Sequence, residues 1–296
     1  MLRHYVREAA RAAIQLAFAR RRFKLLLRTT LRNIDLRTQA VCAATNFFSS
    51  VVQPVVINAP FGASMLVLAP HQDDEVIGCG GAMALQRRSG AALRTVVLHD
   101  GADEHAQVTM TRDTLREMRN EESKAAARVI GAEEPVFLGS KCLRDDAQSI
   151  TATLTELIET LRIDALFTPF VLDGHPDHRM CNEILARALT DVGRQIRVFQ
   201  YEVWALCIPN VALIIDDVME KKEAMLSCFH FANAAHDYAH TTKGLNMFQS
   251  RLLPAGKARF VEAFFETPVQ EYLEIVNAVT AAEQRAIQTG VGIPGA

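Results

Sequence analysis

From Ser64 onward, short apolar runs alternate with longer amphipathic stretches. Met65-Leu66-Val67-Leu68 and Ala165-Leu166-Phe167 are apolar at every position, as strands buried on both faces are. The pattern predicts strands over 64–69, 93–99, 135–138, 164–168, 196–204 and 211–215. Between them it predicts helices near 79–89, 108–131, 148–162, 178–192 and 217–230, with further helix near 256–284. Strands alternating with helices of this length specify an α/β fold, a Rossmann-like, mostly parallel sheet flanked by helices.

The first 50 residues follow another pattern. Ile14, Leu16 and Phe18, then Leu25, Leu26 and Leu27, stand among arginines and read as helix. Such a helix could lie in a bilayer interface or pack on the main domain. Pro54 and the run Asn58-Ala59-Pro60-Phe61-Gly62 break the pattern and mark a linker. The chain therefore divides into a basic helical N-terminal arm, 1–62, and an α/β domain, 63–296.

Charge sharpens that division. The 296-residue chain carries an overall charge of −2, but residues 1–37 hold ten Lys or Arg against Glu8 and Asp35. That local balance of +8 leaves −10 for the rest. A basic arm on an acidic body fits contact with anionic lipid, and equally a solvated helical face. No apolar run approaches the ~18 residues of a spanning helix, and arginines interrupt any secretory-signal core. The six cysteines are scattered without a C-x-x-C pair, which fits free thiols in a reducing compartment. The expected location is cytoplasmic, with a peripheral option on the inner membrane face, and no nucleic-acid partner is expected.

Two polar runs follow the apolar ones. His71-Gln72-Asp73-Asp74-Glu75 comes after the strand at 64–69, and His175-Pro176-Asp177-His178 after the strand at 164–168. Ligands of open α/β sheets bind outside such carboxyl ends. His71 and Asp74, three apart in a post-strand turn, can converge on one point, and His178 can supply a third ligand. Two His and one Asp suit Zn2+, with Fe2+ or another divalent ion as alternatives, and leave a fourth position open for water. Asp73 would take that water's proton. His175 would stabilise an oxyanion or protonate a leaving amine, and Asp177 would fix a histidine tautomer. Asp100, after the strand at 93–99, would position a ligand histidine or cap its turn.

Gly78-Cys79-Gly80-Gly81 lacks the G-x-G-x-x-G spacing of a dinucleotide site, so its small residues read as close packing of a helix on the sheet. His236 and His240 have helical i, i+4 spacing without the Glu of an H-E-x-x-H run. Trp204 reads as a core or pocket-wall residue.

The run Val67 to Glu75 with Gly78-Cys79-Gly80-Gly81 resembles the signature of the PIG-L/LmbE-like metal-dependent N-deacetylases, and His175-Pro176-Asp177-His178 matches that family's second motif. Val96 to Gly101, Phe137-Leu138-Gly139 and Tyr201 to Trp204 extend the similarity over roughly residues 64–265. The resemblance implies a deacetylase domain that removes N-acetyl from a glucosamine-type sugar. It implies zinc on His71, Asp74 and His178, Asp73 as base, and His175 as electrostatic partner. Arg119 resembles a sugar-contacting arginine of the family, and otherwise pairs on its own helix with Glu122 or Ser123. The chain departs from the family at Gln72, where Pro is usual, at Ser140-Lys141-Cys142 and at Phe231-Ala232. The expected partner is an amino-sugar substrate, with lipid-linked or glycan-precursor forms included. An amidase for a larger acyl group and a catalytically silent sugar-binding relative are the alternatives.

Overall fold

The alternating apolar runs build one sheet. In the computed structural model, which describes residues 54–102 and 110–288, its strands are β1 (Val55–Ile57), β2 (Ser64–Ala69), β3 (Ala92–His99), β4 (Val136–Ser140), β5 (Ala165–Pro169), β6 (Arg197–Tyr201), β7 (Val211–Ile214) and β8 (Val261–Pro268). Their order is β1-β7-β8-β6-β5-β2-β3-β4. All neighbours run parallel except β8, which pairs antiparallel with both β6 and β7. The Rossmann-like expectation therefore holds, with one antiparallel strand inside the sheet.

The two faces of β2 explain its unbroken hydrophobicity. Met65 and Val67 enter one core with Phe167, Phe199, Tyr201 and Phe264. Leu66 and Leu68 enter the other with Val96, Leu98, Leu166 and Val198. The helices covering these faces are α1 (Asp74–Arg88), α2 (Arg112–Val129), α3 (Ala147–Thr160), α4 (Pro176–Leu189), α5 (Met219–Leu226), α6 (His230–Ala235), α7 (Tyr238–Gln249) and α8 (Val269–Gln288). Helix α1 packs against α5 on the first face, while α4 packs against α3 and α8 on the second. No helix among the described residues is long and apolar enough to cross a membrane.

Several elements differ from the sequence expectation. Residues 256–284 are not continuous helix, because 261–268 form β8, whose Phe264 lies between Tyr201 of β6 and Val211 of β7. The run Val-Glu-Ala-Phe-Phe-Glu looks amphipathic, yet Glu262 points into the interior rather than to water. The strand expected over 196–204 stops at Tyr201, and α7 was not anticipated. The linker around 54–62 instead supplies β1 and the buried Phe61. The basic helical arm, up to residue 53, and its membrane contact lie outside the described residues.

Helix α1 is broken at Cys79, where φ is −143° and ψ 25°. The break leaves backbone groups without helical partners, and an ion pair from two other elements takes them. The Glu262 carboxylate accepts from Gly81 N at 2.7 Å and Ala82 N at 2.8 Å. Lys222 Nζ donates to Ile77 O at 2.9 Å and to Glu262 Oε1 at 2.6 Å. The glycines of this stretch do the work of close packing rather than phosphate binding. A Cβ on Gly78 would collide with the Tyr201 ring, and one on Gly81 with Ile215 and Glu262. Lys222→Met leaves the Glu262 charge buried and unpaired, so it should cost about 3–5 kcal/mol in urea unfolding. The double variant Lys222→Met/Glu262→Gln should recover part of that loss.

Candidate active site

The sheet order reverses direction at β2, whose neighbours are β3 and β5. Loops leaving the carboxyl ends of β2 and β5 diverge there, opening the crevice in which such folds bind ligands. His71 to Glu75 follow β2 and turn directly into α1, whereas His175 caps α4 after β5. Pro176 is preset for the first helical position, and the His175 side chain accepts from Asp177 N at 3.2 Å. The crevice forms a pocket of about 350 Å³ lined by His71, Asp73, Asp74, His99, Arg119, His175, Asp177, Trp204 and Tyr238, among others.

One oxygen joins the two motifs. Asp74 Oδ2 accepts from His71 N at 2.9 Å and lies 3.2 Å from both His71 Nδ1 and His178 Nε2. Each imidazole is backed by a second carboxylate on its far nitrogen. His71 Nε2 is 3.0 Å from Asp177 Oδ2, and His178 Nδ1 is 3.3 Å from Asp173 Oδ1. Asp177 thus meets its expected partner. Asp173 was not anticipated, although its position two residues before His175 could have signalled it. The Asp173 carboxylate also accepts from His175 N at 2.9 Å and Trp204 N at 3.0 Å, so it organises the whole turn.

These residues fit a divalent metal ion. His71, His175 and His178 each offer a ligand atom, all within 4.8 Å of one another. His178 is fully buried, and its two ring nitrogens make only ion-pair approaches to Asp74 and Asp173, without well-aligned hydrogen bonds. A buried imidazole so placed suits a ligand, and the carboxylate behind each ring matches the usual outer shell of metal-bound histidine. His236 and His240 do not form a second such group. His236 has extended backbone ahead of α7, so the two never share a helical face.

Asp73 sits at the turn into α1 with φ 111°, a left-handed conformation that is strained for a residue other than glycine. Three contacts hold it there. Glu75 Oε2 accepts from Asp73 N at 3.0 Å, Ser123 Oγ donates to Glu75 Oε1 at 3.0 Å, and Arg119 Nη2 lies 3.3 Å from Asp73 Oδ2. Arg119 also donates to Gln72 O and Gly101 O, each at 2.8 Å, rather than pairing with Glu122 or Ser123. Gln72 itself is buried and donates to Asp100 O and Asn120 Oδ1, which ties the turn to α2. Asp100 caps its own turn through Ala102 N and holds Arg112 by two hydrogen bonds. It stands 3.6 Å from His99 Nδ1, and His99, not foreseen, lines the pocket.

The neighbouring aspartates titrate in opposite directions. Burial pushes the Asp73 carboxyl up to about 7, even though the Arg119 guanidinium opposes the rise. Burial acts on Asp74 too, but His178 and His71 outweigh it and hold that carboxyl well below the usual carboxylate range. For His178, burial disfavours the charge, yet Asp74 and Asp173 prevail and raise its pKa to about 10. His175, closer to solvent, is lowered by burial and by the neighbouring His71 and His178.

Fold and site together place a cluster of histidines and carboxylates at the switch point of a Rossmann-like sheet. Residues 66–189 match the family model described as PIG-L: GlcNAc-PI de-N-acetylase. Over that segment the chain is similar to the PIG-L/LmbE-like family. Two curated relatives share the name "Probable N-acetyl-alpha-D-glucosaminyl L-malate deacetylase 2". The one from Bacillus subtilis (strain 168) is 28% identical over 132 residues, 42% of this chain and 60% of the relative. The one from Bacillus cereus is 25% identical over 210 residues, 62% of this chain and 95% of the relative. Among solved structures, N,N'-diacetylchitobiose deacetylase from Pyrococcus horikoshii has a TM-score of 0.62 at 20% identity, covering 81% of this chain and 96% of that one. GalB, the 4-carboxy-2-hydroxymuconate hydratase from Pseudomonas putida KT2440, has a TM-score of 0.58 at 21% identity, covering 69% and 95%. Likeness at this level establishes the fold and leaves the reaction to the site.

Behind the pocket wall, Glu202 is buried, accepts from Gln249 Nε2 and Cys207 N, and is pushed up to about 7 by burial. The folded protein thus keeps a proton that the unfolded chain releases near the ordinary glutamate value. The resulting stabilisation is full below that value and disappears as pH rises through about 7. Between about pH 5 and pH 8, wild type should lose about 2–3 kcal/mol more than Glu202→Gln, read from urea midpoints.

Proposed function

We propose that this chain is a divalent-metal-dependent hydrolase that removes the N-acetyl group from a glucosamine-type sugar conjugate. The observation that carries the reading is the Asp74 oxygen shared by His71 and His178, with Asp73 and His175 in the same pocket. His71, Asp74 and His178 would hold the ion. Zn2+ is the preferred metal, and Fe2+ suits the same donor set. A bound cation would acidify a water molecule and polarise the amide carbonyl.

The side chains divide the remaining work. Asp73 accepts the proton of the attacking water, and its raised pKa matches proton transfer near neutral pH. Arg119, touching both the Asp73 side chain and the Gln72 backbone, fixes the carboxylate in its strained turn. His175 lies at the mouth with Nδ1 occupied by Asp177 N, which leaves Nε2 for the developing oxyanion or the departing amine. Asp177 and Asp173 hold the imidazoles of His71 and His178 in orientation. The names of the curated relatives and of the chitobiose enzyme support acetylated glucosamine as the substrate class.

Metal analysis of the purified protein, coupled with acetate release from free, nucleotide-linked and lipid-linked N-acetylglucosamine, tests this reading. Acetate release dependent on added Zn2+ or Fe2+ is expected from at least one conjugate. No release from any of them, or faster release of a longer acyl group, would remove the deacetylase assignment. Asp73→Asn should reduce turnover about 10²- to 10⁴-fold at nearly unchanged metal content. Asp74→Ala should instead lower the metal content itself, measured by elemental analysis.

A further inference from the structure

A second pocket, of about 340 Å³, opens beside the first and shares Ile77, Val203, Trp204 and Tyr238 with it. Its chemistry is the opposite. The first pocket has three aspartates, three histidines and an arginine on its walls, whereas no carboxylate, lysine or arginine lines the second. Leu206 and Leu245 complete the apolar wall, with Thr241, Thr242 and His236 as its polar neighbours. Trp204 is 56% exposed and Leu206 39% exposed, so apolar surface is left open to solvent beside a charged site. The Trp204 and Tyr238 rings meet edge to face with centroids 6.1 Å apart and form a partition common to both spaces. Trp204 is also tied to the site itself, because its backbone N donates to Asp173, the residue behind His178.

We infer that the second pocket is a subsite for an apolar aglycone, so that the substrate is an amphipathic amino-sugar conjugate with its sugar in the first pocket. The inference rests on the amino-sugar reading of the first pocket. A single ligand must be polar at one end and apolar at the other to fill both spaces across the Trp204–Tyr238 partition. The apolar end is the aglycone rather than the acyl group. None of the metal-type residues lines the second pocket, whereas an acetyl carbon undergoing hydrolysis must lie against them. Filling such a pocket removes both its wall and the ligand from water, which is the main source of affinity at apolar sites.

Trp204 is the sole tryptophan of the chain, so its fluorescence reports occupancy without any turnover. The test titrates the full-length protein with the methyl and hexyl glycosides of N-acetylglucosamine, below micelle formation. The hexyl glycoside should bind at least about tenfold more tightly, the gain expected from burying two methylenes, and shift Trp204 emission to shorter wavelength. Leu206→Asn and Leu245→Gln should bring its affinity down to that of the methyl glycoside. Leu206 is exposed enough for its variant to keep the urea midpoint. Equal affinity for the two glycosides, or a hexyl advantage untouched by both variants, overturns the subsite. So does a methyl glycoside with an N-hexanoyl group that matches the hexyl glycoside and responds to the same variants. Acetate assayed in parallel separates the two readings. Tight hexyl binding without hydrolysis sinks the deacetylase and keeps the subsite, whereas acetate released with equal KM from both glycosides does the reverse.

Discussion

A single carboxylate oxygen, Oδ2 of Asp74, connects the two loops from which the site is built. It accepts from the His71 backbone and stands equally close to one nitrogen of His71 and one of His178. Those histidines stand 107 residues apart in sequence, brought together because β2 and β5 are adjacent where the sheet order reverses. Asp74 is also the first residue of α1, so the position of that helix sets the position of the oxygen. The Lys222–Glu262 pair, set into the break of α1, fixes the helix in turn against α5 and β8. Buried ion pairs contribute little net stability compared with apolar packing, but they tolerate little displacement.

The legible part of the structure was the part that local pattern controls. The unbroken apolar runs at 65–68 and 165–167 placed β2 and β5, and the polar residues after each placed the site at their carboxyl ends. What escaped depended on distant partners. The segment 261–268 reads as amphipathic because Glu262 looks like a solvent residue, yet its carboxylate serves backbone amides 181 and 180 positions away. Asp173 and Glu202 are buried acids that each depend in part on a distant donor, Trp204 N and Gln249 Nε2. A charge in the interior is costly unless such donors are in place, and no short window of sequence contains them. The apolar pocket was hidden for a related reason. Trp204 reads as a wall residue, but which spaces it separates depends on α7, a helix that only the folded chain reveals.

The departure at Gln72 shows how a local substitution is absorbed. Proline would stiffen the turn through its fixed φ and would offer no side-chain donor. Glutamine instead spans from the turn to Asp100 O and Asn120 Oδ1, while Arg119 of the same helix grips the Gln72 carbonyl. The rigidity that the ring would provide is supplied by hydrogen bonds to α2, whose own register is set by its Thr111 cap. The same helix therefore carries both the residue that steadies the turn and the residue that faces Asp73.

That coupling bears on why two adjacent aspartates titrate in opposite directions. Both are buried, so desolvation pushes both carboxyls upward. Asp74 faces two imidazoles, and their favourable interaction with its charge exceeds the desolvation cost. Asp73 has Arg119 as its ion-pair partner, already engaged by two carbonyl oxygens, and feels His71 and His178 more weakly. The arginine offsets part of the cost and leaves the carboxyl poised to exchange a proton near neutrality. Environments that drive neighbouring titratable groups apart are the usual means of assigning one to hold charge and the other to move protons.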